Sequence, residues 1–294
     1  MFTLLRVLKR HSFSAIILVF LGIICLASIL PMWIMIINSF ASDQALANHG
    51  FQILPEAYSL KAYKQIFAQP EFLFRSYGVT ILITAVGTAL AVMITIMFSY
   101  AISRPGFRAR KILSFYIYFT MLFNGGALSY YIWVTRYYHL KNTLAILILP
   151  LLISPFYVLL MRTYFASMPR SLLEAARLDG AGEMRTLVSV VVPLSLPSIA
   201  TVGLFTMLGY WNDMYQALLF IDKQELYPLQ FTLYRLLSTK NIIPQGGGYT
   251  GIISSPIAQR MAMGTLAILP VLFSFGFVQK YFIRGVTLGG IKGE

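Results

Sequence analysis

Cysteine is nearly absent from this 294-residue chain, where Cys25 is the only one. No internal disulfide can form, which excludes a secreted disulfide scaffold. Charge is scarce too: Asp, Glu, Lys and Arg make up 11% of residues, against about 25% in soluble domains. A soluble globule so poor in charge could not cover its own surface, and neither disorder nor a coiled coil fits. There are three histidines, His11, His49 and His139, far apart and away from the centres of the apolar runs. They give neither the paired ligand spacing of a zinc site nor a histidine at membrane depth beside a nucleophilic serine. The pattern G-x-x-x-x-G-K-[ST] does not occur, so the chain is not expected to bind nucleotide through a P-loop. No catalytic residue, metal or cofactor is expected on this chain.

What is abundant is apolar surface. Hydrophobic residues make up 58%, against about 45–50% in soluble domains. A membrane-spanning helix needs about 20 mostly apolar residues. Six charge-free stretches approach or exceed that length: Ala15–Ile37, Tyr77–Ile102, Ile112–Thr135, Asn142–Met161, Thr186–Asn212 (which Met214–Ile221 extends) and Met261–Gln279. Lipid offers no hydrogen-bond partners, so each must close its own backbone bonds as a helix. The first is too long for the apolar core of a signal peptide and has no small-residue cleavage site after it. The fold class expected is an all-α membrane protein with six spans and a single transmembrane domain over residues 1–294.

The net charge of +13 fits the orientation of a membrane protein better than nucleic-acid binding. No basic run is interleaved with aromatics as base stacking requires. With the N-terminus placed in the cytoplasm, 14 of the 23 basic residues fall inside. The short connection Ser103–Lys111 carries four of them, Arg104, Arg108, Arg110 and Lys111, and no acid. Short flanks of this kind set topology, so both termini are expected inside. Two long connections, residues 38–76 and 222–260, then lie outside, and loops of that length usually carry function or small elements of their own.

One inside connection is unlike a linker. Ser171-Leu172-Leu173-Glu174 fits a capping box, in which the Ser171 hydroxyl accepts from the Glu174 amide and the Glu174 side chain reaches back. Glu174-Ala175-Ala176-Arg177-Leu178 is strongly helix-forming. Gly180 stands where a glycine ends a helix with positive φ, and a second short turn begins at Gly182. Pro193 and Pro197 follow, near the start of the fifth span, where they loosen the backbone. The pattern is a short helix, a sharp bend and a second helix. An ordinary interfacial helix would carry an apolar face with Lys or Arg opposite. Here Arg170, Arg177 and Arg185 balance Glu174, Asp179 and Glu183.

The run Glu174-Ala175-Ala176-Arg177-Leu178-Asp179-Gly180-Ala181, followed by Pro193-Leu194-Ser195-Leu196-Pro197, resembles the EAA loop of ABC importer permeases. Further stretches resemble the carbohydrate-importer permeases. They are Ser99–Arg104, Trp211-Asn212-Asp213 and the tail Gln279–Gly293, the last similar to the second permease of the maltose type. Phe123–Leu128 and Leu226–Gln230 resemble the branch that imports polysaccharide fragments. The resemblance covers about Arg6 to Glu294. It implies a type I importer built from two homologous permeases, two ATPase subunits that bind ATP and Mg, and a solute-binding protein outside, set in the bacterial cytoplasmic (inner) membrane. It also implies that the loop at about 166–190 is the coupling segment. Glu174, Ala175, Ala176, Asp179, Gly180 and Ala181 would dock into the ATPase, and the tail residues Gly290, Lys292 and Gly293 would reach it. Gly182 and Met184 depart from the family pattern, where a polar residue and an aromatic are more usual.

A few residues are candidates for a substrate path. Asp213 is the only acid within a span, and intramembrane charges are expensive and face an interior or a cavity. With Trp211 and Asn212 it would line the path or brace a neighbouring helix. Tyr130, Tyr131 and Trp133 are either an interfacial aromatic belt or a stacking surface for sugar rings. Asn124, beside Gly125-Gly126, points to a broken helix near mid-membrane. An oligosaccharide cargo is expected from the resemblance. An acidic one fits the outside loops, where nine basic residues meet five acids (Asp43, Glu56, Glu71, Asp222, Glu225). A stand-alone channel or secondary transporter is the competing class, but it would want more intramembrane acids or an inverted repeat. Nucleic acid is not expected as a partner; membrane lipid is.

Overall fold

The structure is a computed structural model that describes residues 2–68, 70–238 and 257–290, with side chains for 15–68, 70–238 and 257–274. The described residues are almost entirely helical, and an isolated Ala41–Tyr58 bridge is the only β pairing among them. The chain forms two compact units, Met1–Pro70 with Leu236–Leu269, and Glu71–Arg235 with Pro270–Glu294.

The first unit contains α1 (Phe2–Asn38), α2 (Asp43–His49) and α3 (Lys61–Ala68). The apolar run of α1 leaves Ile16, Leu18, Val19 and Leu26 more than 60% exposed, as a helix surrounded by lipid or a partner would. Its last residue, Asn38, is fully buried and fastens the following loop. The Asn38 amide donates to the Ile34 and Gln52 carbonyls at 2.7 Å and accepts from the Gln52 N–H at 3.1 Å. Ser42 caps α2 through the Ala45 N–H at 3.2 Å. The connection at 38–76 thus does carry small elements of its own.

The second unit is built along α4 (Pro70–Ser103). Its small residues admit neighbours closely, as in other membrane helices. Ser76 bonds Thr232 at 3.0 Å, Thr80 accepts the Leu229 N–H at 2.8 Å, and Ser99 donates to the Val158 carbonyl at 2.9 Å. Gly87 lies directly against the ring of Tyr210.

Three of the six expected spans are bent pairs rather than continuous helices. The third is α5 (Arg110–Leu122) and α6 (Ala127–Ile132) with its π extension to Tyr137, bent by 111°. Asn124 accepts from the Gly126 N–H at 2.8 Å, and Gly126 takes φ +83°. That turn stops the helix where the Asn-Gly-Gly run predicts a break. The fourth is α7 (Leu144–Ile148) with a 3₁₀ turn to Leu151, then α8 (Pro155–Ala166), bent by 43° with Pro155 opening the second half. The fifth opens as α10 (Glu183–Thr186) and runs through a π turn at Leu187–Val191 into α11 (Val192–Leu194). It breaks at Ser195 and resumes as α12 (Leu196–Asn212) and α13 (Tyr215–Phe220), with an 84° bend. Proline in a helix interior clashes with the carbonyl four residues back, and the widened π turn before Pro193 makes room for it. Helix α9 (Arg170–Leu178) precedes α10, and α14 (Leu229–Ser238) and α15 (Ile257–Gly290) complete the chain. Helices α1, α4 and α15 contain continuous candidate spans, so the described residues include three helices long and apolar enough to cross a membrane, or up to six spans with each bent pair counted as one. The run Pro244 to Gly248, Lys292 and Gly293 lie outside the described residues.

Candidate functional site

Helix α9 begins one residue before the expected capping box. Pro169 occupies the N-cap without a side-chain bond, and proline, preset near helical φ, opens the turn at no loss of a donor. Ser171 is therefore inside the helix, and the proposed Ser171–Glu174 box does not form. The C-terminal end is as read. Gly180 adopts φ +77°, its N–H bonds the Arg177 carbonyl at 3.0 Å, and the Ala181 N–H bonds the Ala176 carbonyl at 2.9 Å. This pair of bonds is the Schellman arrangement, which only a residue free to adopt left-handed φ terminates without strain.

The exposed side of α9 carries Leu172, Glu174, Ala175 and, 89% exposed, Leu178. Ala176 is buried. Of the two alanines expected to dock, Ala175 faces out, while Ala176 lets α9 pack closely. Asp179 and Gly180 are exposed and Ala181 half-buried. Gly290 ends α15.

Next to this helix is a polar cluster that reading the sequence did not single out. The Tyr100 hydroxyl donates to Glu183 Oε2 at 2.6 Å, and Arg104 reaches the same oxygen through Nε and Nη2 at 3.2 Å. Arg104 Nη2 also donates to the Tyr100 hydroxyl at 2.8 Å, with its guanidinium 4.6 Å from the centre of that ring. The other carboxylate oxygen, Oε1, accepts from Arg177 Nη2 at 2.6 Å. Glu183 raises the pKa of Arg177 further, first by that hydrogen bond and then by its charge.

The substrate-path candidates fall in separate places. Asn212 and Asp213 stand at the break between α12 and α13. Asp213 Oδ1 accepts from the Tyr215 N–H at 3.2 Å, while Oδ2 is buried with no hydrogen-bond partner. Asn212 accepts from Gln230 Nε2 at 3.2 Å. Tyr130 donates to Gln216 at 2.8 Å, and Tyr131 stacks on Phe220 with centroids 5.6 Å apart. These two tyrosines brace α13, a packing role that neither the aromatic-belt nor the stacking-surface expectation named. Trp133 is 53% exposed and lies over Tyr137 and Tyr138. Trp211 lines a cavity of about 420 Å³ with Thr84, Thr88 and Met207, where both threonine hydroxyls are buried without partners. Asn124 is exposed and serves the turn at Gly126. Gln216 and Gln230 were missed, although a glutamine within the apolar run Met214–Ile221 is a visible signal of a buried polar contact.

Residues 87–288, which include α9, its glycine stop and the broken fifth span, match the family described as "Binding-protein-dependent transport system inner membrane component". The chain belongs to that family. It is the membrane-embedded permease component of an ABC transport system. "Protein LplC" of Bacillus subtilis (strain 168) is 36% identical over 94% of this chain and 93% of its own length. The "Polygalacturonan/rhamnogalacturonan transport system permease protein YtcP" of the same organism is 32% identical over 97% of this chain and all of its own. Among solved structures, a bacterial ABC transporter "involved in the import of the acidic polysaccharide alginate" superposes with a TM-score of 0.82 at 28% identity. That match covers 92% of this chain and 97% of the other.

Proposed function

We propose that this permease is one of two homologous membrane subunits of an ATP-driven importer for polysaccharide fragments, acidic ones included, with both termini in the cytoplasm. Two separate ATPase subunits supply ATP hydrolysis with Mg, and a solute-binding protein delivers the oligosaccharide from outside. Helix α9 is the coupling helix: Glu174 and Ala175 enter a cleft of the ATPase, and the tail around Gly290, Lys292 and Gly293 reaches between the ATPase subunits. Closure of the ATPases moves α9, and the spans alternate between outward and inward access. The observation that carries this reading is an exposed Glu174–Ala175 face on a short helix sharply stopped at Gly180. Support for the cargo comes from the relative that transports polygalacturonan and rhamnogalacturonan, from the alginate importer, and from the basic excess of the outer loops. Asn212, Asp213 and Trp211 are proposed to contact the sugar path, and a carboxylate oxygen left without a donor suits a sugar hydroxyl.

The test is a detergent pull-down of the tagged chain from its native membrane with mass spectrometry. A second permease and ATPase subunits, two for each copy of this chain, are the expected result. Oligogalacturonides with the binding protein should then stimulate ATP hydrolysis. Glu174→Lys should detach the ATPase while leaving membrane insertion intact. Recovery of the chain alone, under conditions that preserve other membrane complexes, overturns the reading.

A further inference from the structure

We infer that Glu183 is a positioning residue that ties the coupling helix to the end of α4, so that displacement of α9 is passed to that span as well as to α12. This rests on the coupling-helix reading above. One carboxylate holds both elements, with Oε1 on Arg177 of α9 at 2.6 Å and Oε2 on Tyr100 of α4 and Arg104 just after that helix, at 2.6 and 3.2 Å. Chain connectivity alone leads α9 into α10 and the fifth span. It gives α9 no hold on α4, whose Tyr100 is 83 residues away from Glu183. The contact is directional: Arg104 is fixed at once by the carboxylate, by the Tyr100 hydroxyl and by its position against the Tyr100 ring. The Arg104 side chain is only 12% exposed while Glu183 is 55% exposed. The cation is held on the α4 side and the anion moves with α9. An exposed ion pair contributes little to stability, so the value of this one lies in geometry. A cavity of about 440 Å³, lined by Met97, Phe107, Met184 and Leu187 beside the cluster, leaves room for the side chains to follow a displacement without breaking contact.

The experiment uses the complete reconstituted transporter with its binding protein, and reads three quantities: ATPase subunits retained, ATP hydrolysed and sugar transported. Glu183→Gln removes the charge, and Tyr100→Phe removes a single hydroxyl from a residue whose ring keeps its place. Both should retain the ATPase subunits. Transport per ATP should fall about fivefold or more in Glu183→Gln, a typical size for an inter-site coupling, and less in Tyr100→Phe. Glu183→Asp should recover part of the ratio. Arg104→Gln combined with Glu183→Gln should be no worse than Glu183→Gln alone. An unchanged ratio in Glu183→Gln overturns the inference, as does loss of the ATPase subunits from it, which would make Glu183 part of the docking surface. Glu174→Lys run in parallel separates the two claims. If it detaches the ATPase while Glu183→Gln transports normally, only the positioning role fails; if it changes nothing, the coupling-helix reading itself fails.

Discussion

Replacing Gly87 by alanine tests the packing of the second unit at its closest point. A Cβ added there would lie 2.5 Å from Cε1 and Cζ of Tyr210 and 2.8 Å from Cε2, well inside van der Waals contact. The ring cannot slide away freely. Tyr210 is 1% exposed, and its hydroxyl donates to the Ile148 carbonyl at 2.8 Å. Accommodating the methyl means moving α4 away from α12 or pulling Tyr210 off Ile148. Overpacking of this kind costs about 1–3 kcal/mol, and loss of the hydrogen bond adds about 1 kcal/mol. At roughly 2–4 °C per kcal/mol, a 2 kcal/mol loss lowers the melting temperature by about 4–8 °C. The assay is thermal unfolding of the purified transporter in detergent, for Gly87→Ala, Tyr210→Leu and the double variant. The alanine should cost little once the ring is gone, a coupling of about 1–3 kcal/mol between contacting sites. An unchanged melting temperature in Gly87→Ala, or an equal loss in the Tyr210→Leu background, would refute the argument that Gly87 exists to admit Tyr210.

Tyr130→Phe strands the Gln216 side chain, which is 8% exposed, and should destabilise by about 1–3 kcal/mol, while Tyr130→Phe with Gln216→Leu should be close to neutral because both polar partners are removed; thermal melts of the three variants decide. Gly180→Ala meets no neighbour within 4 Å but must adopt φ +77°, so only the backbone penalty of about 1–2 kcal/mol applies, and the readout is weakened ATPase retention on the pull-down. Asn142 holds φ +60° and bonds the Asp222 and Lys223 amides at 2.6 and 3.2 Å; Asn142→Gly should therefore lose the bonds but not the backbone fit, and melt above Asn142→Ala. Asp222 is held below its usual pKa by hydrogen bonds from Lys141 and then Asn142. A depressed carboxylate stabilises above its unfolded pKa and loses that contribution as pH falls through its folded value. The wild type should thus out-melt Asp222→Asn at neutral pH by a small margin that closes below about pH 4, small because the pair is exposed.

Much of the fold was legible because lipid simplifies the problem. With no water to satisfy backbone groups, charge-free runs of spanning length have one solution, and α1, α4 and α15 fall on the first, second and sixth runs. The breaks were legible only where the local chemistry is strong. Asn124-Gly125-Gly126 announced its turn through an amide side chain and glycine. Pro155 was passed over, and Pro193 and Pro197 were read as loosening the backbone without the 84° bend between them, because proline inside an apolar run is tolerated in many membrane helices and composition does not say how far each will bend. The capping box failed for a related reason. Ser171 and Glu174 have the right spacing, but Pro169 two residues earlier is already preset to open the helix, and the stronger local constraint fixed the start.

The site divides along the same line. Gly180 was readable because its role is local: one residue, one value of φ, two neighbouring carbonyls to satisfy. Glu183 was not, because its meaning depends on Tyr100 and Arg104, 83 and 79 residues away, and counting it among balancing charges hid which charge it balances. Ala176 shows the same limit on a smaller scale. Ala175 and Ala176 are equivalent in composition and propensity, and only the packing of α9 decides that one is exposed and the other faces inward. A motif read along the chain therefore marks a local feature, a short helix and its stop, while the contacts it makes are set by residues from distant segments. Substitutions at Glu183 and Arg104 should accordingly alter transport per ATP without removing the motif by which such a permease is recognised.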